Sequence, residues 1–293
     1  MEAIAPPISI TEDDAIAKAK LSVIIPVYNE ETKILAAITR IKESLSLTGM
    51  EFEIVVVNDG STDNTLAVLV AAQKVDRRIR HVTYAVNRGK GFAVKTGILE
   101  SQGDLGIYLD GDLDISPDSI QDFVKALEEC DLVIGSKRHP LSVYQCPVTR
   151  KFLSKCFYHL VKLLVSVKVS DTQVGLKGGK SDILKYIFSN ISTRKYAFDV
   201  EFLKLASLLK LRVNELPVSI CMTDNFKVKD IFFMARDLAR ISWRYRIRKH
   251  HYSEIVSGAG LSVKSGLSTL LPSSAIPILD EINQQYSVEA TTK

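Results

Sequence analysis

Only four cysteines occur among the 293 residues, Cys130, Cys146, Cys156 and Cys221, and no two of them share a metal-ligand spacing. That excludes a zinc finger or ribbon and a disulfide-stapled scaffold, and it leads to the expectation of reduced thiols buried in apolar surroundings. A large charge of either sign is also missing. Lys and Arg total 38 against 34 Asp and Glu, and a net charge of +4 gives no general affinity for nucleic acid. No window approaches the run of about 18 apolar residues that a spanning helix needs. Residues 1–20 lack the basic start and apolar centre of a secretory signal and carry Pro6-Pro7 and Glu12-Asp13-Asp14 instead. The chain is therefore not expected to cross a membrane by itself, and a cytoplasmic place is expected. What is present, 46% hydrophobic and 25% charged residues, is ordinary for one large α/β domain or two small ones.

The apolar residues fall into short runs that alternate with helical patterns. Leu21 to Pro26 reads as a buried strand, followed by a helix through Ile34, Leu35, Ile38, Ile41 and Leu45. Phe52 to Val57 is a second strand, and Asp63 and Asn64 lead into a helix ending near Val75. Ile79 to Val86 is a third strand, and Asn87 to Gly91 opens a helix running to Ser101. Strand Leu105 to Leu109, a helix from Pro117 to Glu129 and strand Asp131 to Ile134 complete the series. Strands alternating with helices of this length predict right-handed βαβ units around a mostly parallel sheet. The polar strand ends, Asn29 and Glu30, Asp59, Lys90, Asp110 and Asp112, Lys137 and Arg138, then collect along one edge, where ligands of such sheets bind.

Asp104-Leu-Gly-Ile-Tyr-Leu-Asp-Gly-Asp-Leu-Asp114 is the stretch around which the rest is organised. Its apolar strand ends in three alternating carboxylates. Asp110 and Asp112 have no cationic neighbour within the motif, so they repel unless a divalent cation lies between them. Hard oxygen ligands suit Mg²⁺ or Mn²⁺, which keep positions open for substrate phosphates. The expected metal ligands are Asp110, Asp112 and Asp114. A calcium loop is excluded, because its sixth and twelfth positions would be Ile115 and Gln121 rather than Gly and Glu. Helix capping explains Ser116 before Pro117, but not the three upstream acids. Gly89-Lys90-Gly91 lacks the third glycine of a dinucleotide fingerprint, where Val94 stands. It still places a glycine-flanked lysine at a helix start, a plausible anion contact.

Seven motifs in order now carry a resemblance. They are residues 23–30 (VIIPVYNE), 56–63 (VVNDGSTD), 87–91 (NRGKG), 110–112 (DGD), 133–139 (VIGSKRH), 171–177 (DTQVGLK) and 198–201 (FDVE). The first four resemble the family 2 inverting glycosyltransferases of the GT-A fold. The last three are similar to the polyprenyl-phosphate sugar synthases within that family, the dolichyl-phosphate mannose and glucose synthase group. The resemblance spans roughly residues 20 to 250 and implies a metal-dependent transfer of a hexose from a nucleotide sugar to a polyprenyl or dolichyl phosphate. It implies a nucleotide-sugar pocket lined by Pro26, Tyr28 and Glu30, with Asp59 at the base edge and Lys90 and Asp110 nearby. It implies Asp112, Arg138 and Arg150 as catalytic residues. The acceptor phosphate would meet Lys137, Arg138, Arg150 and Lys227. Where the family commonly has Gln or another polar group two after the second acid, this chain has Asp114. UDP-glucose, GDP-mannose and UDP-N-acetylglucosamine all remain open as donors.

The implied chemistry agrees with the absence of a conspicuous base. A prenyl phosphate is already anionic and needs no deprotonation, and clustered Lys and Arg offset its repulsion from the donor diphosphate. The alternative, a soluble enzyme with a polysaccharide or small hydroxyl acceptor, would need a general base, for which Glu201 and Asp199 are the candidates. A non-enzymatic nucleotide-sugar-binding scaffold is the third reading, and the intact Asp110-Gly-Asp112 argues against it. The competing reading is a solvated turn for Lys137 and Arg138 and an exposed helix start for Arg150; the resemblance puts the functional reading ahead for Arg138 and Arg150 and leaves Lys137 even.

Two helical stretches bear on the lipid. From Lys151 to Val169 an apolar arc wider than one core requires leaves a narrow polar strip, suiting either lipid contact or burial on two sides. From Lys229 to about Lys249, Ile231, Met234, Leu238, Ile241 and Tyr245 make a packing face. Phe232, Phe233, Arg236, Arg240, Trp243, Arg244 and Ile247 make the other, and arginines among aromatics suit a membrane surface. Solvated charge such as Arg236 beside Asp237, with packing between subunits, is the competing reading. The expected organisation is an N-terminal extension over 1–19, the catalytic domain over 20–228, the amphipathic helix over 229–252, and a Ser/Gly/Thr-rich tail over 253–293. The expected place is the cytoplasmic face of a membrane, held peripherally.

Overall fold

The computed structural model describes residues 20–165, 167, 169–195, 197–221 and 228–247. The expectations for 1–19, Lys227 and 253–293, and for the side chains of Arg150, Phe232 and Phe233, lie outside the described residues.

Strands β1 (Lys20–Val27), β2 (Glu51–Asn58), β3 (Ile79–Thr83) and β4 (Leu105–Leu109) run parallel in the order β3-β2-β1-β4. Helices α1 (Ile34–Ser46), α2 (Thr65–Val75) and α3 (Lys90–Glu100) are the crossovers. The alternation within β1 sets the two layers, since successive side chains point to opposite faces. Leu21, Val23, Ile25 and Val27 pack with α1 and α2 and with the short α4 (Ile120–Ala126). Ile24 points the other way, into a core shared with α3, α5 (Val148–Val165), α6 (Ser181–Asn190), α7 (Phe198–Leu208) and α8 (Val228–Ile247). Each fully buried aliphatic side chain in these layers contributes about 1.5–3 kcal/mol relative to exposure. Gly97 lets α3 lie directly on the sheet: a Cβ there would fall 2.4 Å from Ile24 Cγ2.

The mostly parallel sheet is found, with one feature the local patterns do not announce. β7 (Leu176–Lys180) inserts antiparallel between β4 and β5 (Leu132–Gly135), and β8 (Val213–Leu216) closes the edge beside β5. Because two antiparallel pairings restore direction, β5 again points the same way as β4. The carboxyl ends of β1, β2, β4 and β5 thus share one edge, as expected. β6 (Val143–Gln145) and β9 (Ser219–Cys221) form a separate parallel pair.

Several boundaries differ from expectation. β3 stops at Thr83 because Tyr84 turns inward and its hydroxyl donates to Asp59 Oδ1 at 2.6 Å. The helix expected over 117–129 opens as a single 3-10 turn capped by Ser116 and ends at Ala126. Of the cysteines, all are free and Cys130 is buried. Cys156 and Cys221 are exposed, a correction to the expected burial: Cys156 lies on the outer side of α5, next to inward Phe157. The same helix buries Phe157, Val161 and Val165 but leaves Leu163 exposed, so it packs on one side. No helix among the described residues is long and apolar enough to cross a membrane.

Candidate active site

The strand order reverses between β1 and β4, and this is where an open α/β sheet leaves a crevice at its carboxyl edge. β1 delivers Pro26, Tyr28 and Glu30 to that crevice, with Tyr28 46% exposed. The loop is held by reciprocal bonds to the end of β2. Asn29 N donates to Ser61 Oγ, Thr62 N to Asn29 Oδ1, and Glu30 N to Thr65 Oγ1, all at 2.8–2.9 Å. Asn29 adopts φ 56°, the left-handed region that Asn tolerates.

β4 delivers Asp110 and Asp112. Leu113 follows at φ 58°, a strained conformation for this residue that turns Asp114 N back onto Asp112 Oδ1 at 3.1 Å. Lys90, the first residue of α3, reaches over so that its Nζ lies 2.5 Å from Asp110 Oδ1. Gly175 closes the other side: a Cβ there would sit 2.0 Å from Asp110 Oδ2, so any larger residue would displace the carboxylate from where it stands. Removal from bulk water and then the charge of Asp110 raise the pKa of Asp112, even though its side chain reaches the surface. Glu30 is raised as well, by burial and then by Asp112 and Asp63, with Lys33 opposing. Burial works against the Lys90 ammonium, but Asp110, Asp199 and Asp112 outweigh it and its pKa rises. Three carboxylates thus repel one another around one committed lysine, an arrangement that favours a further cation.

The donor set fits a divalent ion in part. Asp110 and Asp112 bring hard oxygens close enough for the charge of Asp110 to raise the pKa of Asp112, without a preformed third ligand among the described residues. No group of three or more His, Cys, Asp or Glu side chains that could hold a metal gathers among the described residues. The backbone of Asp114 is stitched to β9, where its carbonyl accepts from Cys221 N at 2.9 Å.

Asp59, expected at the base edge, follows directly on β2. It is buried, and its carboxylate accepts from Tyr84 Oη, Arg88 N at 2.8 Å and Gly89 N at 2.9 Å. It anchors the turn ahead of Lys90, where Gly89 has φ 97°. Lys137 has a partner within the protein. Its Nζ is 3.1 Å from Asp171 Oδ1, in a largely buried ion pair that helps hold the 170–175 segment. That segment ends at Gly175 against Asp110, so it ties the end of β5 to the end of β4. Arg138 remains exposed, with its guanidinium 3.8 Å from the Tyr158 ring centre, and Lys162 Nζ lies 4.9 Å from the same ring. Arg150 begins α5, the helix that carries both.

Neither candidate general base is available. Asp199 is buried and accepts from Tyr108 Oη and Lys177 Nζ, each at 2.7 Å. Glu201 is fully buried and pairs with Arg244 at 3.0 Å. That pair corrects the outward, membrane-facing placement of Arg244. Trp243 and Arg240 do face outward, at 69% and 63% exposure. Met234, Leu238 and Ile241 pack inward, as expected. Arg236 and Arg240 lie near Asp237, at 3.4 and 3.7 Å. Asp171 and Gly175 lie in the 171–177 motif, but their individual roles, and the 191–195 segment, were not read from the sequence, because their contacts are with residues far along the chain.

The profile of Glycosyl transferase family 2 matches residues 22–188. A dolichyl-phosphate beta-glucosyltransferase of Trichomonas vaginalis is 31% identical over 258 residues, covering 80% of this chain and 78% of its own. The dolichyl-phosphate beta-glucosyltransferase of Saccharomyces cerevisiae is 32% identical, covering 77% and 75%. Among solved structures, glucosyl-3-phosphoglycerate synthase from Mycobacterium tuberculosis, in complex with Mn²⁺, UDP and phosphoglyceric acid, superposes with a TM-score of 0.60. It is 19% identical and covers 80% of this chain and 82% of its own, a likeness of fold.

Proposed function

The chain belongs to glycosyl transferase family 2, and from that premise we propose that it transfers a hexose from a nucleotide sugar to dolichyl or another polyprenyl phosphate. Glucose, carried by UDP-glucose, is the favoured sugar over the mannose of GDP-mannose, because the similar curated relatives are dolichyl-phosphate glucosyltransferases. The observation that carries the reading is the Lys90–Asp110–Asp112 arrangement at the β1/β4 crevice.

In this reading Tyr28 and Glu30 line the nucleotide pocket beside Pro26, and Asp59 holds the Arg88–Gly89 turn that presents Lys90 to the diphosphate. Asp110 and Asp112 would hold Mg²⁺ or Mn²⁺, which when bound supplies neutralisation of charge on the leaving diphosphate. An oxygen of the acceptor phosphate attacks the anomeric carbon from the face opposite the diphosphate. The new C–O bond forms as the bond to the diphosphate breaks, and its electron pair leaves with that group. No proton needs to be removed, which accords with the engagement of Asp199 and Glu201 elsewhere and counts against a hydroxyl acceptor. Arg138, with Arg150 on the adjoining helix, would balance the acceptor phosphate, and Lys162 lies close enough to assist.

Association with the cytoplasmic face of a membrane belongs to the same proposal. Exposed Trp243 and Arg240 on α8 supply an aromatic and cationic surface of headgroup type. The test is transfer from a panel of labelled nucleotide sugars to a short polyprenyl phosphate, with Mn²⁺ and with chelator. Lipid-extractable label from UDP-glucose, lost with chelator and in Asp112→Ala, is the expected result. Donor hydrolysis without lipid product would move the assignment to a soluble acceptor.

A further inference from the structure

Glu201 on α7 is fully buried, and its two oxygens look in different directions. Oε2 accepts from Thr193 N at 2.9 Å and Ser192 N at 3.3 Å, while Oε1 accepts from Arg244 of α8 at 3.0 Å. The 191–195 segment is also pinned from the other side. Lys95 of α3 donates to the carbonyls of Ser189 and Ile191, both at 3.1 Å. Directly after Thr193, Arg194 presents its carbonyl to Phe92 N at 3.0 Å. That oxygen lies 2.9 and 3.0 Å from where a Cβ would stand on Gly89 and Gly91, so the segment covers the turn on both sides of Lys90. Arg244 is thereby joined to the diphosphate side of the crevice by an unbroken series of contacts: Glu201, the 192–194 backbone, Gly89 to Phe92, and Lys90 against Asp110.

We infer that Arg244 and Glu201 are a positioning pair through which α8 holds the donor-binding turn in place. Arg244 touches neither substrate nor lipid; it neutralises Glu201 so that the carboxylate stays buried and keeps the 191–195 segment against Gly89–Gly91. Its neighbours Trp243 and Arg240 face outward on the same helix, so docking of α8 and order at the donor turn share one element. Leaving either member of a buried ion pair alone is far more damaging than replacing both by neutral groups of similar shape. This inference rests on reading the crevice as a nucleotide-sugar site.

The test uses the full chain and compares wild type with R244Q, R244K and the double variant E201Q/R244Q. It measures amide hydrogen exchange at 89–93 and 191–195, and the affinities for UDP and GDP by calorimetry. In R244Q, exchange in both segments should accelerate about tenfold or more while the β1 and β2 amides stay unchanged, and nucleotide affinity should fall by a similar factor. R244K should stay near wild type. The double variant should recover exchange and affinity to within about threefold, because the amide oxygen that E201Q introduces still accepts from Ser192 and Thr193. A double variant as impaired as R244Q would overturn the inference, since a direct contact made by Arg244 cannot be restored through Glu201. So would unchanged exchange at 89–93 when 191–195 has loosened. If R244Q does not fold, a folded double variant with wild-type exchange at 89–93 supports the pair, and faster exchange there overturns it. Wild type that binds neither nucleotide would sink the donor reading, while the exchange data would still decide the coupling.

Discussion

Lys90 Nζ and Asp110 Oδ1 stand 2.5 Å apart, so an ion pair ties the start of α3 to the residue that follows β4 at the crevice. The lysine already neutralises one of the carboxylates that the fold crowds together, and in the proposed function it also meets the incoming diphosphate. Lys90→Met should lower kcat/KM for the nucleotide sugar by about 10²-fold, the scale of one lost electrostatic contact to a leaving group. Steady-state kinetics at saturating Mn²⁺ check this; an unchanged value would remove Lys90 from the site.

Gly175 is constrained by space. A methyl group there would stand 2.0 Å from Asp110 Oδ2, so the carboxylate would have to leave its place beside Lys90. Gly175→Ala should therefore cost more than tenfold in turnover while destabilising the fold by about 1–3 kcal/mol, the usual scale of overpacking. Thermal melting beside donor turnover separates the two effects.

Asp112 gives a stability effect opposite to its catalytic one. Its folded pKa is raised, so the proton binds more tightly in the folded state than in the unfolded chain. The associated stabilisation is complete below the ordinary carboxylate pKa and is lost as pH rises through the raised value, which leaves an ionised, repelled carboxylate at neutral pH. Asp112→Asn should abolish transfer yet raise Tm at pH 7 by up to about 3 °C, the sub-kcal/mol scale of a surface-reaching charge. The gain should vanish near pH 3. A lower Tm at pH 7 would contradict the repulsion.

Lys177 is fully buried against Asp199, behind Asp110. Lys177→Met leaves that carboxylate unpaired and should cost about 3–5 kcal/mol, read as a fall in the urea midpoint. The double variant Lys177→Met with Asp199→Asn should recover most of the loss.

Trp243 and Arg240 present the outward side of α8. Replacing both by alanine should reduce binding to anionic vesicles at least about fivefold, on the order of 1 kcal/mol for each surface-bound cation plus the buried ring, without changing Tm. Equal flotation of variant and parent would remove this surface from membrane contact.

Much of the architecture follows from short-range pattern. The short apolar runs of β1, β2 and β4 and the helices between them read directly as a parallel sheet, since each unit is set by residues within about 30 positions. Asp110-Gly-Asp112 at the end of an apolar strand marks the crevice for the same reason. The motif containing Gly175 was visible, but its steric role was not, because the carboxylate it makes room for is on another strand.

The sequence by itself therefore determined the fold class, the edge that carries the site, and the residues that gather there from βα turns. Only the tertiary structure decided which charged groups are spent internally. Lys137 is taken by Asp171, and Asp59 by the Tyr84 hydroxyl and two amides. Arg240 and Arg244 show the limit most clearly. One helical turn apart, they fall on the same stripe by period, yet one faces solvent and the other closes on Glu201 in a different helix. Helical spacing fixes direction relative to neighbours on the same helix; whether a cation finds a buried acid depends on what packs against it.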